Sequence, residues 1–576
     1  MDNSSFVEKS LHNVTQEPGC VNRHCAQETP EIPAPSVTPE TGKTHKHLLK
    51  AAGLMGALTL CSRILGMIRD IVSAKNFGTI WQWDSFLYAF MLPNFFRKLV
   101  GEGALSSAFI PVYSEILAQK GKEEAFRFGA LMFTLLATGL FLFLLVVQGL
   151  LITALSIGHF PPIVRLTLEL LRWMFPYLWF MSLFVLGMGI LNSHRHFFAP
   201  ALGPIIFDLF WIAGVIWVTP RAGTDFQNQV RWLTVVILIS GAAQLLAELP
   251  ALYRIGFKWR WVWDLAYPGL KKTYHLFLPA ILGFAVVQIN ILVDATCGLV
   301  IGPGANSSLW YGNRLMQFPL GIFAIAMGTA LLPTVSHQTA KKDLDSVRKT
   351  LSFALRSIFL IILPASVGLM ILGGPIVQLL FQRGQFDAVS TSRTAAVLWC
   401  YSIGLFAYSG QKIFAAGFYA AQDTRTPVKI GIIALCANIV LNLILMVPMA
   451  EAGLALATSI SGVLQFSLLC FFYQRKITNL DLRKISWSFI KITWASLAMG
   501  ILGWISFKIA QNFMPGSGTM ALLIQVFSSI FISIAAYIGF CLLFRVHEVR
   551  EAFLWIRERK RKNRGPVTVN GALTEA

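Results

Sequence analysis

Charge is what this sequence has least of. Only 13% of its 576 residues are Asp, Glu, Lys or Arg, against roughly 25% in soluble domains. That scarcity, beside 55% hydrophobic residues, excludes an ordinary water-soluble fold. Acids are scarcer still, with 28 Asp and Glu against 48 Lys and Arg and a formal net charge of +20. The eight cysteines are scattered, Cys20 and Cys25 near the N-terminus and most others inside apolar runs. They spell out neither a zinc site nor a disulfide framework. No phosphate-binding glycine loop, His-rich metal motif or serine elbow is present, nor the paired acids that hold magnesium in phospholipid enzymes, so the chain does not read as an enzyme. Short segments of alternating polarity are missing too, and with them a transmembrane barrel.

What fills the chain instead is apolar sequence. About fourteen runs of roughly 20 residues recur between residues 49 and 546, each long enough to cross a ~30 Å hydrocarbon core at 1.5 Å per residue. The reading is an all-α polytopic membrane protein of about 14 transmembrane helices. Residues 1–45 are polar, carry Pro30, Pro33, Pro35 and Pro39, and lack the apolar stretch of a cleavable signal peptide. They are expected to be a disordered cytoplasmic tail.

A net charge of +20 raises the question of nucleic acid, but its distribution answers it. The basic residues gather in alternate loops, such as Lys120 and Lys122, Lys258 and Arg260, Lys271 and Lys272, and Lys341 and Lys342, and in the tail from Arg557 to Arg564. The intervening loops hold little more than Lys75, Arg221 and Arg383. This is the positive-inside pattern, and with an even number of spans it places both termini in the cytoplasm. The basic tail at 547–576 is expected to anchor topology and meet lipid headgroups, with no nucleic-acid role.

The chain also echoes itself. Ala108-Phe-Ile-Pro111-Val-Tyr-Ser114 matches Ala330-Leu-Leu-Pro333-Thr-Val-Ser336 at an offset of 222 residues, and each is followed by a basic loop. Gly189-Ile-Leu leading to Pro200 pairs with Gly417-Phe-Tyr leading to Pro427 at nearly the same offset. Six spans fit in that interval. The expected plan is a six-helix lobe at 46–260, a second at 261–475 and two accessory helices at 476–546. An even repeat keeps its orientation, so the lobes form a parallel pseudo-two-fold pair with a substrate site between them.

The residues that carry chemistry are cations placed where a bilayer disfavours them. Arg63, Arg69, Arg97 and Arg314 all fall inside apolar spans, where a charge costs at least ~2.5–3.5 kcal/mol unless it lines a wet cavity or meets a partner. In the first span, Ser62-Arg63-Ile-Leu-Gly66-Met-Ile-Arg69-Asp70, the two arginines stand about 120° apart on an ideal helix. Both reach one cavity only if it is wide or the helix bends near Gly66, and Arg69 can equally pair with Asp70. The second span carries Asp84, then Pro93-Asn94-Phe-Phe-Arg97-Lys98 and Gly101-Glu102-Gly103. Asn94, Arg97 and Lys98 share a face, Lys98 and Glu102 can neutralise each other, and Pro93 and Gly101 loosen the helix. The eighth span reads Asn313-Arg314-Leu-Met-Gln317 with no acid within one turn of Arg314. Guanidinium groups fork onto phosphate oxygens, and several around one cavity suit a pyrophosphate. Ser62, Arg63, Arg69, Asn94, Arg97 and Arg314 are the candidate substrate contacts. Asp70, Asp84, Lys98, Glu102, Asn313 and Gln317 are candidates for gating or charge balance, and Gly66, Pro93 and Gly101 for hinges. No metal site is expected.

These motifs resemble the MurJ (MviN) lipid II flippases of bacteria. The likeness runs in register from about residue 48 to 545 and includes Leu92-Pro93-Asn94, Asn313-Arg314-Leu-Met-Gln317-Phe-Pro319 and Asp423-Thr-Arg-Thr-Pro427. The resemblance implies the multidrug/oligosaccharidyl-lipid/polysaccharide exporter fold of fourteen helices, with Arg63, Arg69, Arg97 and Arg314 at the family's cavity arginines and Asp84 at its functional acid. It also implies flipping of lipid II, the undecaprenyl-pyrophosphate-linked peptidoglycan precursor, across the bacterial inner membrane. Lipid II, membrane lipids and the cell-wall synthesis machinery are the implied partners. No cofactor is expected, and the identity of any coupling ion stays open. The chain departs from the family pattern in carrying Asn313 and Gln317 where acids are common. The alternative is a flippase for another lipid-linked oligosaccharide or a multidrug/cation antiporter of that superfamily. An antiporter would place acids in the first and seventh spans, where Asp294 is a lone candidate.

Overall fold

In a computed structural model of the chain, residues 39–514 and 518–549 are described, with side chains from Gly56 onward except at 100–102, 104 and 282. The chain up to Gly53 is a separate unit, described only as helical backbone from Pro39, and the architecture below belongs to the unit from Leu54 onward. The elements are all helical: α1 (Pro39–Phe77), α2 (Trp81–Phe96), α3 (Ser106–Lys120), α4 (Lys122–Ile157), α5 (Pro162–Ser193), α6 (Phe198–Ala213) and α7 (Phe226–Ile255). There follow α8 (Pro268–Ile301), α9 (Ala305–Pro319), α10 (Ile325–Ala340), α11 (Leu344–Phe381), α12 (Ala388–Ala420), α13 (Arg425–Lys476), α14 (Leu482–Phe513) and α15 (Thr519–Leu543). No strand occurs among the described residues. Part of the expected N-terminal tail, from Pro39 to 45, is helical, because no proline after Pro39 interrupts the helix before Pro93.

Among the described residues, ten helices are long and apolar enough to cross a membrane, and the chain is an all-α, multi-pass membrane protein. The helices missing from that set are instructive. They are α1, which carries Arg63, Arg69 and Asp70, the short α2 and α3 of 16 and 15 residues, and α12, which is rich in Ser, Gly and Tyr. α13 counts once there, although Ala450 (φ 49°, ψ −131°) bends it sharply into two passes just after Pro448.

Local signals place the ends. Pro162 and Pro268 open α5 and α8, where a missing N–H costs nothing. Asp225, Asp343 and Asp387 cap α7, α11 and α12 by accepting from the backbone N–H of Gln227, Ser346 and Ser390 at 3.0, 3.0 and 2.8 Å. Gly256, left-handed at φ 96°, ends α7.

Two interruptions share the 222-residue offset. A π-helical segment at Arg97–Leu105 joins α2 to α3, and another at Leu320–Ala324 joins α9 to α10. Shifted by 222 residues the second falls at 98–102, inside the first. Such bulges widen a helix and often mark functional positions. α4 to α7 pack on α2 in one group, α11 to α13 surround α9 and α10 in another, and α14 and α15 pack on each other and on α11.

Candidate functional site

A cavity of about 590 Å³ lies between the two groups, lined from α1, α2, α5, α6 and α7 on one side and α8, α9 and α12 on the other. All four span arginines reach it, together with Ser62, Gly66, Asn94, Lys98, Asn313 and Gln317. The cavity is wide enough for Arg63 and Arg69 to border it from one continuous helix. Asp70, Asp84 and Pro93 do not line it. Gly101 and the side chain of Glu102 lie outside the described side chains.

Its electrostatic centre is Asp70, 2% exposed. Arg69 donates from Nε and Nη2 to Asp70 Oδ1 at 3.1 and 2.9 Å, and from Nη1 to Asp208 Oδ1 on α6 at 2.9 Å. Its guanidinium also lies 4.8 Å from the Trp211 ring centre, a favourable cation–π placement. Trp211 is itself held edge-on by Phe86 and Phe90. Arg314 comes from α9 and donates Nε to Asp70 Oδ2 at 2.5 Å. The partner that Arg314 lacks within its own span is therefore a carboxylate on α1. Asp70 serves as a shared anion that ties the two sides of the cavity together.

The other two arginines are presented differently. Arg97 donates Nε to Asn94 Oδ1 at 2.8 Å, a contact made by residues one turn apart. Arg63 is exposed to the cavity, has no hydrogen bond or ion pair to any described residue, and lies against Gly321 in the π-helical segment of the opposite side. Gln317 donates from Nε2 to Asn313 Oδ1 one turn away.

Asp84 works away from the cavity. Buried on α2, it accepts from Gly304 N at 2.5 Å and from Ser307 N and Oγ at 2.7 and 2.5 Å. It thereby caps α9 from across the interface, a carboxylate at the positive end of another helix. Around it, Thr79 and Ser390 hydroxyls meet at 2.8 Å, and Gln385 N donates to Lys75 O at 2.9 Å. Gly78 and Gly384 are left-handed at φ 55° and 61°, and at each a Cβ would strike backbone of the other side. Just outside the span, Asp387 is held below the usual carboxylate range by hydrogen bonds from the Ser390 backbone and side chain. Arg393 completes this closed end, donating Nε to Glu451 at 2.5 Å and Nη1 to Pro303 O at 2.7 Å.

Sequence reasoning missed Asp208 and Arg393. Asp208 was visible as a lone acid inside an apolar span, the same signal that exposed the arginines. Arg393 sits at a helix start and carried no such signal. Asp294 also borders the cavity, half-buried, and accepts from Asn442 Nδ2 at 2.6 Å and Thr458 Oγ1 at 3.1 Å. Among the described residues no cluster of His, Cys, Asp and Glu could hold a metal ion.

A helical membrane protein with a basic cavity between two helix groups, closed at one end by interlocking polar contacts, is built as a transporter for an anionic cargo. The family model described as "Lipid II flippase MurJ" matches residues 73–524. A probable lipid II flippase MurJ of Vibrio cholerae is 33% identical over 524 residues, covering 87% of this chain and 97% of the relative. The lipid II flippase MurJ of Burkholderia cenocepacia is 30% identical, covering 86% and 98%. A solved structure of lipid II flippase MurJ in an inward closed conformation superposes with a TM-score of 0.69 at 28% identity over 85% of this chain and 99% of its own. An inward-facing multidrug resistance MATE transporter of the MOP superfamily shares the fold at 14% identity, with a TM-score of 0.58 over 74% and 95%. The chain belongs to the MurJ lipid II flippase family.

Proposed function

We propose that this protein moves lipid II from the cytoplasmic to the outer leaflet of the bacterial inner membrane by alternating access, as a transporter and not a catalyst. The observation that carries this is the charge of the cavity. Among the described residues, five basic side chains line it, Arg63, Arg69, Arg97, Lys98 and Arg314, beside the acids Asp208 and Asp294. Asp70 stands behind this wall, and the basic character of the described lining suits a pyrophosphate cargo. Arg63 and Arg314, which line the cavity from α1 and α9, are placed to fork onto its oxygens. The sugar-peptide headgroup would fill the aqueous space, and the isoprenoid chain would stay in lipid along α14 and α15.

The positive-inside pattern orients the chain with both termini in the cytoplasm, so the end closed by Asp84 faces outward. Outward movement of an anion is favoured by an inside-negative potential at ~2.3 kcal/mol per charge per 100 mV. Rocking of the two groups about Gly66, Pro93 and the π-helical segments would release the Asp84 closure and open the cavity to the other side. A coupling ion is compatible with this scheme, and the cell-wall synthesis machinery is the natural consumer of the product. The test is complementation of a bacterium depleted of its own lipid II flippase, with wild type and Arg97→Ala at matched expression. Rescue by wild type alone supports cargo and site, and failure of a properly inserted wild type refutes the cargo.

A further inference from the structure

The segment between α7 and α8 is unlike the other loops at its end of the bundle. The loops 194–197, 341–343, 421–424 and 477–481 contain no Trp, whereas this one reads Phe257-Lys258-Trp259-Arg260-Trp261-Val262-Trp263-Asp264-Leu265. It is neither helix nor strand from 257 to 264, and its residues divide into two sets by burial. One set is pinned down. Phe257 is buried against Phe126 and Phe133, and Tyr267 is stacked on Phe128. Thr134 Oγ1 on α4 donates to Arg260 O at 3.5 Å and accepts from Val262 N at 3.2 Å, while Arg127 donates to Asp264 at 3.3 Å.

The other set is held outward. Trp259, Trp261 and Trp263 are 40, 63 and 60% exposed, and Leu265 is 73% exposed. A chain fastened at this many points could have turned these rings inward, and it presents them instead. Lys258 and Arg260, also exposed, rim the row, and Arg254 and Lys271 flank it. Lys272 is engaged with Glu115 and Asp264 with Arg127, so the segment's unpaired charge is positive. Amphipathic tryptophan at a membrane boundary with adjacent cations is the combination that docks on anionic headgroups.

We propose that residues 258–265 are a docking strip for anionic phospholipid headgroups, with the three tryptophans and Leu265 seated at the headgroup–acyl boundary and Lys258 and Arg260 on lipid phosphates. The strip is the connection between the two helix groups, so lipid would hold that connection at a fixed depth while the groups rock. The proposal is independent of the cargo.

The full chain is reconstituted into vesicles containing either brominated phosphatidylcholine or brominated phosphatidylglycerol, and tryptophan quenching is compared between wild type and Trp259→Phe/Trp261→Phe/Trp263→Phe. The signal lost with the triple variant is expected to be quenched about twofold more by the anionic lipid. Lys258→Gln/Arg260→Gln is expected to erase that preference while leaving quenching itself. Should the triple variant fold poorly, the charge variant alone decides, since it keeps every ring. Equal quenching of wild type by both lipids overturns the anionic preference, and absence of quenching overturns docking.

Discussion

Asp70 on α1 and Arg314 on α9 meet at 2.5 Å across the interface, on the carboxylate whose other oxygen already holds Arg69. A buried acid shared by two cations is costly to lose, because one partner left uncompensated in low dielectric costs about 3–5 kcal/mol. Asp70→Ala is therefore expected to lower stability by about 3 kcal/mol, read from thermal unfolding in detergent. Arg69 keeps Asp208 in that variant, so its loss is the smaller part.

Arg314 is half out in the cavity, with a side chain 35% exposed, so removing it costs the fold less than removing Asp70. Arg314→Ala and Arg97→Ala are expected to abolish complementation with protein levels in the membrane unchanged. Arg314→Lys keeps the charge but loses the planar fork, and a transport rate at least about tenfold lower is expected. Full activity in the lysine variant would mean that charge alone suffices.

Gly321 offers a way to move Arg63 without mutating it. A Cβ there would run into the Arg63 guanidinium, the far end of a flexible side chain that can swing away. Gly321→Ala is expected to weaken lipid II binding several-fold, about 1 kcal/mol, with little change in unfolding temperature. Gly368→Ala on α11, where a Cβ meets nothing within 4 Å, is the matched control and is expected to be silent.

Asp84 supplies three of the hydrogen bonds at the closed end. Asp84→Ala is expected to open that end and leave the start of α9 uncapped, about 1–2 kcal/mol for the cap. A cysteine placed at Thr79 should react several-fold faster with a membrane-impermeant maleimide in the Asp84→Ala background than in wild type. Unchanged reactivity would show that the Gly78–Gln385 approach and the Gln385–Lys75 hydrogen bond close this end without it.

Much of this was legible in the sequence for one physical reason, the price of charge in a bilayer. That single rule picks out Arg63, Arg69, Arg97 and Arg314, and the structure brings all four to one cavity. It would equally have picked out Asp208, whose importance lies in pairing with Arg69 from a helix remote in sequence. Pairings of that kind, such as Asp70 with Arg314 or Asp84 with Ser307, depend on how helices are placed side by side and leave no local pattern. The helical classes of α2–α3 and α9–α10 follow from composition, but the π-helical segments within them do not, since Arg97–Leu105 and Leu320–Ala324 have no common residue pattern. The non-helical run at 257–264 was likewise visible only as basic loop charge, and the outward display of its tryptophans comes from anchoring by Thr134 and Phe257.

The central claim is that the arginine cavity carries the pyrophosphate of lipid II across the membrane. The direct measurement is translocation in proteoliposomes of lipid II bearing a dithionite-quenchable label on its headgroup, with wild type, Arg314→Ala and Gly368→Ala side by side. Transfer of the label between leaflets is expected with wild type and Gly368→Ala and not with Arg314→Ala. Equal transfer by Arg314→Ala, or none by wild type that is folded and correctly inserted, would contradict it.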